Sequence, residues 1–335
     1  MATESDVVSV LSAYPDDFRS AEIESLGAAG GFSGARFWRV RSDAGLFCLR
    51  RWPRANPSAD RLEFIQAVLW HVDREGFALA PLPLCTRSRK GYVRRMGYFW
   101  ELAPWMPGEA DFWEDPTDEK LTAAMIALAE FHLAAATFPL PDPPTGLSRG
   151  IRDRRRQLRE WTSGDLERLR AAVERGLWPE LECRAEALFR LVPRGADRVL
   201  VLLDAAVQSK VPLQPCIRDV WHNHVLFEGS RVSGLIDFGS MAADNVAADV
   251  ARLLGSMVRD DAHRWQVGLD AYGSVRGLSE TEVSLVYAFD RSTVLMAGLT
   301  WIDWIYRQRR VFEDREAIPD RLDEIIRRLR HLVGR

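Results

Sequence analysis

The amino-acid sequence predicts an α+β protein with two lobes, a small β-rich N-terminal lobe and a larger, mainly helical C-terminal lobe. Its 335 residues favour two domains or two lobes. Strand-like alternation and glycine-rich turns dominate residues 22–105, whereas apolar residues at helical spacing dominate after Pro107. We therefore expect an N-terminal helix or arm at 1–21, an N-lobe at 22–105 and a C-lobe at 106–335.

The overall composition is that of an ordinary soluble protein. Apolar residues make up 47% of the chain, charged residues 28%, and the net charge of −3 gives no general attraction to nucleic acid or membrane. We expect no signal peptide and no transmembrane helix, because no basic segment precedes a long apolar stretch. The four cysteines are far apart, which argues against a structural zinc site and fits a reducing compartment. A cytoplasmic protein is predicted, with neither nucleic acid nor membrane as partner.

The N-lobe is predicted to follow the order β-β-β-α-β-β. The segment ARFWRV alternates as a strand, SDAG forms a turn, and LFCLRRW continues as the next strand. A helix is predicted between Ser58, which can cap its start, and Gly76, which can end it. One face of that helix is apolar and comprises Leu62, Ile65, Leu69 and Val72.

The C-lobe begins with a helix whose apolar face comprises Leu121, Met125, Leu128, Phe131 and Ala135. A basic run follows from Arg149 to Arg159. Such a run is most often a solvated helical face, and the alternative is a lid over an anionic substrate.

A glycine cluster lies between the first two predicted strands and comprises Gly27, Gly30, Gly31 and Gly34. It does not open a helix, which argues against a Rossmann turn, and it lacks the ending of a P-loop. Such a turn can lie over phosphates, or it can be a flexible hairpin. Arg50 on the next strand could reach those phosphates, and Glu63 on the following helix could hold Arg50. Both could instead be solvated surface residues.

Acids and histidines stand together between residues 216 and 240. The turn EGSR separates two predicted strands, so Asp219, His224 and Asp237 should lie at one edge. Phosphoryl transfer needs one carboxylate to accept a proton and others to hold magnesium. One alternative is that these acids and histidines lie in surface loops without a shared function. The others are an HNH-like nuclease and a zinc hydrolase that uses His222, His224 and Asp219. A half-buried Asp237 without a partner would be costly, and no basic stripe supports a nuclease.

The string IRDVWHNHVLF, followed by VSGLIDFG, resembles the aminoglycoside phosphotransferase and choline kinase-like family, which has the protein-kinase-like fold. The family's string is H-G-D-x-H-P-x-N-V-L-F, and the resemblance covers roughly residues 22–310. It implies transfer of the γ-phosphate of ATP to a hydroxyl group of a small-molecule acceptor. Asp219 would be the catalytic base and Asp237 a ligand of Mg²⁺.

The same resemblance assigns further roles. It makes Gly30, Gly31 and Gly34 the nucleotide loop, Arg50 the phosphate cation and Glu63 its partner. The backbone from Glu101 to Ala103 should meet adenine. The segment DNVAADVA resembles the family's G-D-P-x-x-D-L-A, which implies that Asp249 braces the catalytic loop through backbone N–H groups. The segment with Trp301, Asp303 and Trp304 would be core packing or would line the acceptor groove.

The sequence departs from the family pattern at the site itself. Ile217 and Arg218 replace the family's His-Gly, and His224 replaces the metal-binding asparagine, with Asn223 one residue earlier. Because imidazole suits Mn²⁺ better than Mg²⁺, His224 or Asn223 could join Asp237 in holding Mg²⁺ or Mn²⁺. These departures keep open an inactive, pseudokinase-like regulator that binds nucleotide or a metabolite without turnover.

Overall fold

In the computed structural model the described residues are 4–15, 18, 21–28, 34–54, 56–141, 144–173, 176, 178–310, 312 and 315–334. Through residue 138 the elements, in chain order, are α1 (Glu4–Leu11), β1 (Glu22–Gly27), β2 (Arg36–Ser42), β3 (Gly45–Arg51), α2 (Ala59–Arg74), β4 (Val93–Arg95), β5 (Tyr98–Pro104) and α3 (Asp118–Ala136). The predicted β-β-β-α-β-β order is therefore confirmed.

The remainder is mainly helical. In chain order its elements are β6 (Thr145–Leu147), α4 (Arg149–Glu160), α5 (Leu166–Ala172), α6 (Pro179–Ala206), β7 (Lys210–Pro212), β8 (Gln214–Cys216), β9 (Val225–Glu228), β10 (Arg231–Leu235), β11 (Ala242–Asp244), α7 (Ala247–Met257), α8 (Ala262–Gly273), α9 (Glu280–Ile302) and α10 (Ala317–Gly334).

The chain divides into two compact units. The first unit contains Met1–Phe138 and Asn223–Met241, and the second contains Pro139–His222 and Ala242–Arg335. The chain thus leaves the first unit after α3 and returns to it for β9 and β10. None of the helices within the described ranges combines the length and the apolar character of a membrane span.

An antiparallel sheet with the order β1-β2-β3-β5-β4 forms the centre of the first unit. Alternate residues of β2, β3 and β5 point to one face, where α1 and Tyr14 cover them. The buried strand residues of this core are Trp38, Val40, Phe47, Leu49, Trp100 and Leu102. The strand alternation visible in the sequence therefore decides which side chains enter the core.

Helix α2 has the boundaries that its sequence signals predict. The Ser58 hydroxyl accepts a 3.3 Å hydrogen bond from the backbone N–H of Arg61 at the N-terminus. Gly76, with φ +94°, follows the C-terminus. The predicted apolar faces of α2 and α3 are buried throughout.

Strands β9 and β10 form the hairpin that EGSR predicts. The hairpin is tied to the first unit because Phe227 and Glu109 exchange backbone hydrogen bonds of 2.8 and 3.0 Å. Gly108 lies against it with φ +90°, and a Cβ there would come within 2.6 Å of the Phe227 carbonyl oxygen. This close approach requires glycine.

The second unit is built around α9, which packs on α6, α7 and α10. At Gly298 the helices approach so closely that a Cβ would meet the Leu188 side chain at 2.3 Å. Asp290 on α9 pairs with Arg328 on α10 at 3.0 Å. Two short antiparallel pairs, β6 with β7 and β8 with β11, also belong to the second unit, and the loop that carries Asp219 follows β8.

Candidate active site

In the first unit, Asp237 follows β10 in a left-handed backbone conformation with φ +60°. Its Oδ1 accepts a 2.9 Å hydrogen bond from Arg50 Nη1 and a long 3.4 Å bond from the Gly239 N–H. The carboxylate is 40% exposed, so it remains open to a ligand. Burial acts to raise the pKa of Asp237, but the charges of Arg50 and His224 outweigh it, and the net pKa is lowered.

Arg50 lies on β3, paired in register with Glu101 of β5. Its guanidinium stacks over the Trp52 ring, with Cζ 3.5 Å from the ring centroid. Trp52 also leaves no room at Gly239, where a Cβ would meet its ring at 3.0 Å. The aromatic ring fixes the cation directly beside Asp237.

The predicted pair of Glu63 and Arg50 is wrong. Glu63 accepts a 2.7 Å hydrogen bond from Tyr92 Oη and lies 3.5 Å from Lys90 Nζ. Gln66, one turn further on in α2, is buried and reaches the sheet. Gln66 Nε2 donates to Glu101 Oε2 at 2.5 Å and to the Gly91 carbonyl at 3.0 Å. Helix rotation thus turns Glu63 to the surface and brings a neutral amide inside.

Glu101 is a titratable group near the Arg50–Asp237 pair. Burial is the largest influence and raises its pKa, while the bond from Gln66 and the charge of Arg50 lower it, leaving a net increase. No feature of the sequence singled out this side chain, because the prediction concerned its backbone.

The backbone from Glu101 to Ala103 is already hydrogen bonded. Glu101 and Ala103 pair with β3, while the Leu102 N–H donates to Tyr14 Oη at 3.2 Å and its carbonyl accepts from the Leu84 N–H at 2.8 Å. An adenine ring here would use the second lone pair of a carbonyl or displace one of these bonds.

Of the predicted nucleotide loop, Gly30 and Gly31 lie outside the described residues. Gly34 has φ +77°, a left-handed conformation that favours glycine.

The turn His222–His224 leads into β9 and carries two predicted metal ligands. His224 Nε2 lies 3.8 Å from Asp237 Oδ2, beside the predicted magnesium ligand. Asn223 is exposed, and within the described part of the chain its amide makes no hydrogen bond. The structure therefore brings His224, rather than Asn223, next to Asp237.

In the second unit, Asp219 lies in the loop after β8. Arg252 donates to it from Nε at 3.1 Å and from Nη2 at 2.9 Å, and both bonds end on Oδ1. Among the described residues, no hydrogen-bond donor reaches Oδ2, and the side chain is 51% exposed. This arrangement fixes the orientation of the carboxylate and leaves one oxygen available.

Asp249 braces the loop that carries Asp219, as the resemblance implied. Its two carboxylate oxygens accept hydrogen bonds of 2.6 Å from the backbone N–H groups of Ile217 and Arg218. Asp249 is fully buried. Arg218 has φ +68°, a conformation that side chains rarely adopt, so these bonds hold a strained turn directly before Asp219.

A cavity of about 340 Å³ opens beside Asp219 within the second unit. Trp301 and Trp304 line one side of it, which agrees with the groove-lining alternative, whereas Asp303 is not part of the lining and pairs with Arg307 at 3.0 Å. A second cavity of about 280 Å³ shares Arg154 and Arg218 with the first. Arg154 lies in the basic run from Arg149 to Arg159, for which a lid over an anionic substrate was the alternative, but no local sequence pattern connected this run to Arg218.

An α+β fold with carboxylates placed in this way is expected of an enzyme that transfers phosphoryl groups. The model of the phosphotransferase enzyme family matches residues 24–282. The chain therefore belongs to this family and is a phosphotransferase, and the resemblance drawn from its sequence is confirmed.

Similar proteins include homoserine kinases. That of Methylorubrum populi is 25% identical over 313 residues, which cover 91% of this chain and 89% of the relative. The homoserine kinase of Rhizobium johnstonii is 29% identical over 254 residues, which cover 73% of this chain and 70% of the relative. A solved structure of spectinomycin phosphotransferase with ADP and spectinomycin has a TM-score of 0.73 at 12% identity, covering 99% of this chain and 98% of its own. This likeness confirms the predicted protein-kinase-like α+β fold.

Proposed function

We propose that this phosphotransferase moves the γ-phosphate of ATP to a hydroxyl group of a small molecule. The observation that carries the proposal is the position of Asp219 at a cavity, with Oδ1 held by Arg252 and Oδ2 available. The curated relatives that act on homoserine, and a solved relative that holds ADP, support the same chemistry. The need for ATP would place the reaction in the cytoplasm.

In this proposal Asp219 is the catalytic base. An acceptor hydroxyl in the cavity hydrogen-bonds to Oδ2, which takes the proton as the oxygen attacks the γ-phosphorus. ADP leaves with the electron pair of the broken bond. Asp249 acts through the backbone of the loop and keeps Asp219 in place.

Asp237 and His224 fit a divalent ion such as Mg²⁺ or Mn²⁺. Two neighbouring ligand atoms bound to one ion at about 2.1 Å lie about 3 Å apart. Asp237 Oδ2 and His224 Nε2 are 3.8 Å apart, so only a small movement would let both bind one ion. When bound, the ion would neutralise negative charge on the transferring phosphates. Asn223 would contribute only if its exposed side chain turned inward.

The groups proposed to bind the nucleotide belong to the first unit. Residues 22–105 would bind ATP, with Gly30, Gly31 and Gly34 over the phosphates and Arg50 as the balancing cation. Glu101 and Ala103 would offer backbone carbonyls to adenine. Residues 106–335 would carry the catalytic and acceptor-binding groups. Glu63 has no part in this proposal, because it binds Tyr92 and Lys90.

Acceptor-dependent ADP release tests the proposal. Homoserine is the first acceptor to supply, followed by amino alcohols, sugars and aminoglycosides, each with Mg²⁺ and with Mn²⁺. We expect one class to stimulate ADP release and to gain a phosphate detectable by mass spectrometry. ATP binding without any product would favour the pseudokinase-like regulator. Zinc-dependent hydrolysis without ATP binding would favour the hydrolase that uses His222 and His224.

A further inference from the structure

The cavity beside Asp219 has an excess of positive charge. Five of the residues that line it are arginines and three are acids. The acids are already paired: Asp219 with Arg252, Asp290 with Arg328 at 3.0 Å, and Glu324 with Arg259, which lies outside the lining, at 3.0 Å. Arginines without a carboxylate at close range therefore face the cavity.

Arg154 is the clearest example of a cavity arginine without a carboxylate at close range. It projects from α4 into both cavities. Its Nη1 donates to the Thr293 hydroxyl at 3.0 Å and weakly to Ser292 at 3.4 Å, and its Cζ lies 5.2 Å from the centroid of the Phe289 ring. Within the described part of the chain no carboxylate pairs with it. Burial lowers the pKa of Arg154 to about 10, and the positive charges of Arg252 and Arg218 add to the effect.

Arg218 is a second cavity arginine without a carboxylate at close range. It also lines both cavities, and its nearest carboxylate oxygen is Asp244 Oδ2, at the long distance of 3.9 Å from Nε. Asp244 already accepts hydrogen bonds from the Ser148 hydroxyl and from the N–H groups of Gly150 and Asn245. Its charge is thus shared among other donors.

Arg321 adds a third positive charge to the first cavity. Its guanidinium stacks on the Trp221 ring, 4.3 Å from the centroid. Burial lowers its pKa, and the positive charge of Arg252 lowers it further. Three guanidinium groups thus line one partly buried cavity without a carboxylate of the described residues at close range, and such a cavity stabilises an anion.

We propose that the acceptor carries an oxyanion, a carboxylate or a phosphate, and that Arg154 and Arg218 bind it while the hydroxyl lies at Asp219. The inference rests on the proposed function and narrows its substrate class. It favours hydroxylated acids and disfavours polycations such as aminoglycosides, although the fold is shared with enzymes that act on them. The basic run on α4 therefore serves an anionic ligand through one residue, Arg154.

Matched acceptors that differ in the anionic group test this inference. Homoserine is compared with 3-amino-1-propanol, which lacks only the carboxylate. Glycerate and glycerol 3-phosphate are compared with glycerol, and kanamycin serves as a polycation. We expect kcat/KM for the better acid to exceed that of its neutral or cationic counterpart by about 10–100-fold. The glycerate and glycerol 3-phosphate arms show whether carboxylate or phosphate is preferred.

The variant Arg154→Gln should reduce that preference at least about tenfold, mainly through the KM of the acid, and leave the KM of ATP unchanged. Arg152→Gln removes an exposed charge from the same helix and should preserve the preference. A higher KM for ATP in Arg154→Gln would show that the arginine serves the nucleotide instead, and would overturn the inference.

The two proposals fail differently. Phosphorylation of 3-amino-1-propanol, glycerol or kanamycin in preference to the acids would keep the proposed function and overturn the anionic acceptor. If no compound is phosphorylated, thermal shift with the same compounds still decides. Stabilisation of the wild type by an acid, lost in Arg154→Gln, would support the oxyanion site. Equal or absent shifts with acids and neutral analogues would refute it.

Discussion

Arg50 and Asp237 form an ion pair between residues 187 positions apart, with Nη1 2.9 Å from Oδ1. The predicted phosphate cation and the predicted metal ligand are therefore bonded to each other. Stacking on Trp52 holds the guanidinium in that position. ATP and its metal ion would have to replace this bond with bonds of their own.

The ion pair predicts a pH-dependent contribution to stability. Because the pKa of Asp237 is lowered in the folded state, the pair stabilises the protein above the ordinary carboxyl pKa of about 3.8, and this contribution is lost as the pH falls further. Arg50→Met should lower the free energy of unfolding by about 1 kcal/mol at pH 7, the upper end for partly exposed pairs. Urea unfolding at pH 7 and at about pH 2.5 measures this contribution.

The control is Arg41→Met, which removes an arginine from an exposed pair on the same sheet, 3.8 Å from Glu22. Arg41→Met should change the free energy of unfolding little at either pH. If Arg50→Met lowers the free energy of unfolding as much at about pH 2.5 as at pH 7, lost packing and not the ion pair explains the effect.

Asp219→Asn tests the catalytic base. The amide keeps the size of the side chain but cannot accept a proton, so turnover should fall about 10²–10⁴-fold while the dissociation constant of ATP stays the same. Single-turnover ADP formation and nucleotide titration measure the two quantities. Asp320→Asn, an exposed acid on α10, should leave both unchanged. Turnover that survives in Asp219→Asn would assign the proton to another group.

Asp249→Ala tests the brace of the catalytic loop. It would leave the N–H groups of Ile217 and Arg218 buried without an acceptor, at a cost of about 2–5 kcal/mol in unfolding free energy. Asp249→Asn retains one acceptor oxygen and should lose roughly half as much. Urea midpoints for the three proteins check this order. A loss below 1 kcal/mol for alanine, on the order of one ordinary bond, would be inconsistent with it.

Glu101→Gln should stabilise the protein at alkaline pH. The folded state holds the Glu101 proton more tightly than the unfolded chain does, so the free energy of unfolding falls as pH rises from about 4.5 towards the folded pKa. Glutamine removes this loss. We expect a higher urea midpoint than wild type at pH 8 and a similar one at pH 4. Glu63→Gln should show no gain at pH 8, because the Tyr92 hydrogen bond lowers the pKa of Glu63.

His224 should control the choice of metal. His224→Ala removes the imidazole beside Asp237, and the ratio of turnover with Mn²⁺ to turnover with Mg²⁺ should fall at least about tenfold. His224→Asn restores an oxygen ligand and should favour Mg²⁺. Initial rates at saturating ATP with each metal provide the ratios. The same ratio in wild type and both variants would remove His224 from the metal site.

Local patterns in the sequence were sufficient for much of the fold. Ser58 and Gly76 mark the ends of α2, alternation marks β2 and β3, and a turn signal marks the β9–β10 hairpin. These features are decided by interactions between residues close together in the chain, so a short stretch of sequence is enough to predict them. The resemblance of DNVAADVA to a second family motif extended this to Asp249, whose carboxylate binds the backbone of the loop before Asp219.

Contacts between distant segments could not be predicted in the same way. Helical spacing alone did not distinguish Glu63 from Gln66, because the rotation of α2 against the sheet decides which of them points inward. The cavity arginines lie on α4, in the loop after β8 and on α10, and only tertiary packing brings them together. No spacing rule connects Arg154 to Arg321.

The path of the chain has a consequence for synthesis on the ribosome. Residues 223–241 belong to the first unit, although 84 residues of the second unit, Pro139–His222, precede them. A nascent chain that has emerged only to Phe138 therefore lacks the hairpin whose Phe227 exchanges two backbone hydrogen bonds with Glu109, and these groups of Glu109 wait for their partner until translation continues. An N-terminal fragment ending at Phe138 should accordingly be prone to aggregation, and should become soluble when 223–241 is supplied through a linker.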